Sequence, residues 1–171
     1  MTGGKHLILV GLPGSGKTTT GKRLAELLSL PFIDLDEAIE AETGLPIPQF
    51  FAQRGEVAFR DVESAALRRA MELPPRIIAT GGGAVLREEN RAAMRKSGCV
   101  FFLDRSVDSI VKTLDHTTHP TLQNTSLGEM AALRRPLYLS CADYIVTDDE
   151  IDAAAKACAA LWRNDHEVSH H

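Results

Sequence analysis

The 171-residue chain predicts a three-layer α/β/α fold around a central parallel sheet of about five strands. Five short apolar runs punctuate the sequence, and stretches with helical periodicity lie between them. A glycine-rich G-x-x-x-x-G-K-[ST] motif stands where the first run meets the first helical stretch. Alternation of this kind builds right-handed βαβ units, whose sites lie beyond the carboxyl ends of the strands. At about 150 residues per domain, the length is that of one domain with a sizeable core.

Taken in order, the apolar runs are 7–10, 31–33, 77–79, 100–103 and 144–146. Short and continuous, they fit strands buried on both faces. Residues 17–30 follow the motif as the first helix, with Leu24, Leu27 and Leu28 on one side and Lys22, Arg23 and Glu26 on another. Residues 55–71 set Val57, Val62, Ala65, Ala66 and Ala70 among charges, as in a half-buried helix. Further helices are predicted over 88–96, 106–114, 126–139 and 149–162. The stretch 113–126 is polar, rich in Thr and His and interrupted by Pro120, and is read as a loop or lid. Residues 163–171 read as a frayed tail, with 166–171 a tag remnant outside a single domain of 1–165.

Composition excludes several classes. The longest apolar run, 7–12, is too short to cross a membrane, and no signal peptide is expected. A net charge of −4 with nine aromatics argues against nucleic acid, which selects basic stripes and stacking platforms. Net charge says little about one pocket, so a small polyanion stays admissible. Three widely spaced cysteines, Cys99, Cys141 and Cys158, suit a reducing compartment and are expected to pack as small apolar residues. A cytoplasmic monomer is expected.

The motif is Gly11-Leu12-Pro13-Gly14-Ser15-Gly16-Lys17-Thr18. Glycines let the backbone wrap a phosphate, and N–H groups at a helix start meet its charge. Lys17 supplies a cation to the β/γ-phosphates and Thr18 a hydroxyl to Mg²⁺. Gly14, Ser15, Gly16, Lys17, Thr18 and Thr19 are thus the candidate nucleotide-binding residues. No guanine-reading N-K-x-D segment appears, and the chain is too short for a motor ATPase, so a small-molecule kinase fits the remaining room.

Asp34 and Asp36 end the second apolar run. Two apart on a strand, they would face the same side: one to hold Mg²⁺ through water, the other to take a hydroxyl proton. The competing reading makes them strand-end and helix-capping acids, with Asp36 as the cap. Arg60 and Glu63 stand three apart on a helix, so Glu63 can orient an arginine that grips a carboxylate in bidentate fashion. Gly81-Gly82-Gly83 closes the third run and allows close backbone approach to a ligand, or is a flexible turn.

Together, GLPGSGKT (11–18), DLD (34–36), GEVAFRDVE (55–63), GGGAV (81–85) and RRPLYLSCADYIV (134–146) resemble the shikimate kinase family, from residue 7 to 148. Gluconate kinases share the phosphate loop but lack the GE-x-x-FR-x-x-E and R-x-P-L-Y pieces. The resemblance implies a nucleoside-monophosphate-kinase-like fold with strand order 2-3-1-4-5. It also implies transfer of the ATP γ-phosphate to the 3-hydroxyl of shikimate, on the route to chorismate and the aromatic amino acids. By position, Asp36, Arg60, Gly82, Gly83 and Arg134 would hold shikimate, with Arg60 and Arg134 on its carboxylate and Asp36 on its hydroxyl. Lys17, Asp36 and Arg60 are the implied catalytic residues. Thr18 would ligate Mg²⁺ directly and Asp34 through water.

Two positions depart from the family pattern. Where the lid carries an arginine in R-P-L-L, this chain has His119-Pro120-Thr121-Leu122. An imidazole, with an ordinary pKa of about 6.5, is mostly neutral at pH 7 and lacks the forked guanidinium. Three outcomes stay open: compensation by Lys112, Lys17 or another cation; a slow or pH-sensitive enzyme; or another acceptor such as gluconate, or a non-catalytic relative. Lys112 itself stands where relatives place an arginine that stacks on adenine, and it lacks that flat face. His116 and His119 have helical metal-ligand spacing but no companion ligands, so no metal site is read there.

Overall fold

The computed structural model describes residues 5–113 and 124–168. Strand β1 (His6–Val10) runs through the middle of a five-stranded sheet, flanked by β3 (Ile77–Ala79) and β4 (Gly98–Leu103). Outside these lie β2 (Phe32–Asp34) and β5 (Tyr144–Val146), giving the order β2-β3-β1-β4-β5 with every pairing parallel. The implied order is the one found.

Alternation along β1 divides the core. Leu7 and Leu9 join Ile77, Phe101, Leu103 and Trp162 on one face, whereas Ile8 and Val10 join Ile78, Phe102, Leu67 and Tyr138 on the other. The middle strands β1, β3 and β4 are buried throughout, as continuous apolar runs require. The edge strands depart from the expectation. All of β2 is half-buried and Ile145 in β5 is exposed, because an edge strand has a neighbour on one side only.

Helices α1 (Lys17–Leu28), α4 (Glu88–Ser97), α5 (Val107–Thr113) and α6 (Asn124–Cys141) fall where helical periodicity predicts them, shifted at their ends. Two elements went unpredicted: α2 (Leu35–Thr43) and the opening part of α3 (Ile47–Glu72). Gly55, at φ 83° and ψ 173°, breaks α3 at the residue where the sequence predicts a helix to begin. These parts enclose a third apolar cluster of Ile39, Phe50, Phe59 and Ala66. Ala84–Leu86 forms a 3-10 turn. Helix α7 (Ile151–Val168) continues past 162, because Cys158, Ala159 and Trp162 keep its apolar face on the sheet, so 163–168 is helix rather than frayed tail. Of the predicted loop 113–126, Thr113 closes α5 and 124–126 open α6, while the rest, with His116 and His119, lies outside the described residues.

All three cysteines are free thiols and buried, as expected of small core residues. Burial pushes the thiols of Cys99 and Cys158 up to about 12 and raises that of Cys141. Among the described residues, no helix is long and apolar enough to cross a membrane.

Candidate active site

The carboxyl end of β1 runs into the glycine-rich loop, which ends on α1. Gly11, Gly14 and Gly16 all have positive φ, of 155°, 80° and 91°. Side chains rarely adopt such angles, so the motif's glycines set the loop's path. Lys17 folds back over it and donates from Nζ to the carbonyls of Gly11 at 2.7 Å and Leu12 at 2.9 Å. Burial lowers its pKa to about 8, with Asp36 and Asp34 opposing the shift and Arg134 adding to it. Among the described residues, the buried hydroxyls of Ser15 and Thr20 have no partner. Buried polar atoms are seldom left unpaired, and here they line a loop shaped for an anion. Gly14 and Thr19 are exposed beside it.

Asp34 and Asp36 do not share a strand. Asp34 ends β2 and caps α2, its Oδ1 accepting from the Glu37 N–H at 3.2 Å, while Asp36 lies in the helix's first turn. The cap is therefore Asp34 and not Asp36. Both acids nevertheless face the loop. Thr18 Oγ1 donates to Asp34 Oδ2, and Asp36 is the leading charge felt by Lys17. The Asp36 carboxyl is raised to about 6, by burial first, with Lys17 opposing and Asp34 and Glu63 assisting.

Arg60 is held as its spacing predicts. Its Nη1 donates to Glu63 Oε1 at 2.9 Å, Nη2 lies 3.5 Å from Glu56, and its buried Nε has no partner among the described residues. The guanidinium also sits over the rings of Phe59 and Phe51, 5.3 and 5.8 Å from their centroids. Glu63 is 1% exposed, and burial raises its pKa against the pull of Arg60.

The triglycine turn explains how these groups fit together. A β-carbon on Gly81 would lie 2.7 Å from Asp36 Oδ1 and 2.9 Å from Glu63 Oε2. One on Gly82 would lie 2.7 Å from Cδ of Pro13, and one on Gly83 would lie 2.2 Å from Arg60 Nη1. The expectation of open backbone for a ligand is thus refined: each glycine yields its side-chain space to a different piece of the site. Arg134, on α6, is close enough for its charge to act on Lys17, Glu63 and Tyr138. Lys112 stands exposed in the last turn of α5.

The sequence reading places Gly81 only within the triglycine run and Pro13 only within the phosphate-loop motif, and gives Tyr138 no role of its own. The Tyr138 hydroxyl donates to the Gly82 carbonyl at 2.6 Å. Its only sequence signal was its place in R-x-P-L-Y.

A phosphate loop beside a second cluster of two arginines, a buried acid and a half-buried one defines a phosphate-loop kinase with a small anionic acceptor. A sequence profile of shikimate kinase matches residues 13–162. The chain belongs to the shikimate kinase family. It is 43% identical over 145 residues to a shikimate kinase of Neisseria gonorrhoeae, covering 82% of this chain and 85% of that one. A solved structure of shikimate kinase from Acinetobacter baumannii in complex with shikimate superposes with a TM-score of 0.88 at 33% identity, covering 94% of each chain. A gluconokinase from Sinorhizobium meliloti, at 17% identity and a TM-score of 0.60 over 98% of each chain, shares the fold alone.

Proposed function

We propose that the protein transfers the γ-phosphate of ATP to the 3-hydroxyl of shikimate, yielding shikimate 3-phosphate and ADP. The observation that carries this reading is the triglycine turn, which packs the acceptor-side groups Asp36, Glu63 and Arg60 against the phosphate loop through Pro13.

The loop N–H groups and Lys17 cradle the phosphates, and the hydroxyl of Ser15 finds its partner there. Arg60, locked by Glu63, and Arg134 grip the shikimate carboxylate; Gly82 and Gly83 form the wall behind it. Asp36 accepts the proton of the 3-hydroxyl as that oxygen bonds to the γ-phosphorus and the bond to the β-phosphate oxygen breaks. A carboxyl at about 6 is ionised at neutral pH yet basic enough to take a proton. Thr19 and Lys112 lie on the nucleotide side.

Thr18 and Asp34 form an all-oxygen donor pair suited to Mg²⁺. Among the described residues no group of three or more His, Cys, Asp or Glu forms a fuller cage. That fits an ion that keeps its waters and phosphate ligands, with Thr18 direct and Asp34 through water. When bound, it neutralises charge on the phosphate oxygens.

A single domain, acting as a cytoplasmic monomer without nucleic acid, completes the reading. A coupled ADP-release assay tests it. Release should depend on shikimate and not on gluconate; equal release without any acceptor, or with gluconate alone, refutes it.

A further inference from the structure

Tyr138 lies one helical turn beyond Arg134 on α6, so the two side chains share a face. It is 0% exposed, and a tyrosine buried to that degree needs partners for its hydroxyl. The O–H donates to the Gly82 carbonyl at 2.6 Å, and the ring packs on Phe102 of β4 with centroids 5.0 Å apart. Arg134, one turn earlier on the same helix, lies close enough for its charge to act on the phenol. Burial pushes the phenol up to about 12, and the charge of Arg134 offsets part of that rise. The hydroxyl therefore stays protonated at neutral pH. Gly82 is itself seated on Pro13 of the phosphate loop, so the link runs from α6 to the nucleotide side.

We propose that Tyr138 is a positioning residue: its hydroxyl ties α6 to the triglycine turn and so sets where Arg134, one helical turn earlier, presents its charge to the acceptor's carboxylate. The inference rests on the acceptor reading above. Arg60 is oriented by Glu63 and Glu56 on its own helix, whereas Arg134 is placed by the seating of α6 on the turn.

Tyr138→Phe keeps the ring in its place beside Phe102 and removes only the hydroxyl. The KM for shikimate should rise ~10-fold or more, while kcat and the KM for ATP stay within ~2-fold. Phe102→Leu loosens the same packing but leaves the hydroxyl. It should lower Tm and leave the KM for shikimate near wild type. An unchanged KM for shikimate in Tyr138→Phe overturns the proposal, as does an equal rise in Phe102→Leu, which would assign the effect to packing. Wild-type protein inactive on shikimate would instead sink the acceptor reading, which is a separate result.

Discussion

Alanine at position 83 would disable the acceptor side of the site without touching the nucleotide side. Gly83 has φ −99° and ψ 4°, angles that alanine also adopts, so the substitution strains no backbone. The added methyl carbon would lie 2.2 Å from Arg60 Nη1 and 2.5 Å from Cζ and Nη2. Carbon contacts settle near ~3.5 Å, so the guanidinium must withdraw by roughly 1 Å. Its 2.9 Å bond to Glu63 cannot survive that shift unchanged. Misplacement of a binding group by about 1 Å can cost ~100-fold, and a loss of that order is expected in kcat/KM for shikimate. The far end of a flexible side chain gives way easily, so Tm should move by no more than about 4 °C. Steady-state ADP release with each substrate varied, together with a thermal melt, reads all three quantities. Gly82→Ala puts a methyl 2.7 Å from Pro13 Cδ, so that variant should raise the KM for ATP as well as that for shikimate. A Gly83→Ala enzyme within ~3-fold of wild type on shikimate refutes the placement of Arg60 in the acceptor site.

Arg60→Ala and Arg134→Ala should each abolish detectable turnover while calorimetry still registers ATP; retained activity in either removes that residue from the carboxylate grip. The pH profile of kcat/KM should be bell-shaped. Below about 6, Asp36 gains a proton and can no longer accept one, so the rate falls toward acid. Above about 8, Lys17 of the free enzyme loses its charge, so ATP capture weakens toward base. Asp36→Asn should remove the acid limb along with most of the rate, and a persisting limb would point to another base. His119→Arg should raise kcat with shikimate near neutral pH, since a guanidinium is always charged and forked. A rate that is unchanged or lower would end the argument from the missing lid cation.

The middle of the sheet was legible because β1, β3 and β4 are buried on both faces and read as unbroken apolar runs. Arg60 and Glu63 were legible as a local pair, since helical spacing alone brings them together. The segment 35–54 was not. Gly44, Pro46 and Pro48 punctuate it, and its apolar residues Ile39 and Phe50 close on Phe59 across the fold. Treating Asp34 and Asp36 as strand neighbours reached the correct face by the wrong geometry, because the chain turns into helix between them. The crowding at Gly81, Gly82 and Gly83 and the hydroxyl bond of Tyr138 depend on contacts distant in sequence. No periodicity or spacing encodes those.

The three thiols offer a way to watch this molecule open. Cys99 of β4 and Cys158 of α7 sit in the apolar layer that α1 and α7 form with the sheet, and Cys141, the last residue of α6, in the opposite layer. Only the thiolate attacks a disulfide reagent, and burial holds each sulfur in its protonated form. Reaction at any of them therefore waits for its own layer to part from the sheet. The two sides carry separate chemical clocks, built from native residues and set far from Lys17, Asp36 and Arg60 in sequence. Read with and without nucleotide, they tell whether a ligand at the strand ends steadies the whole sandwich or only the slice it touches.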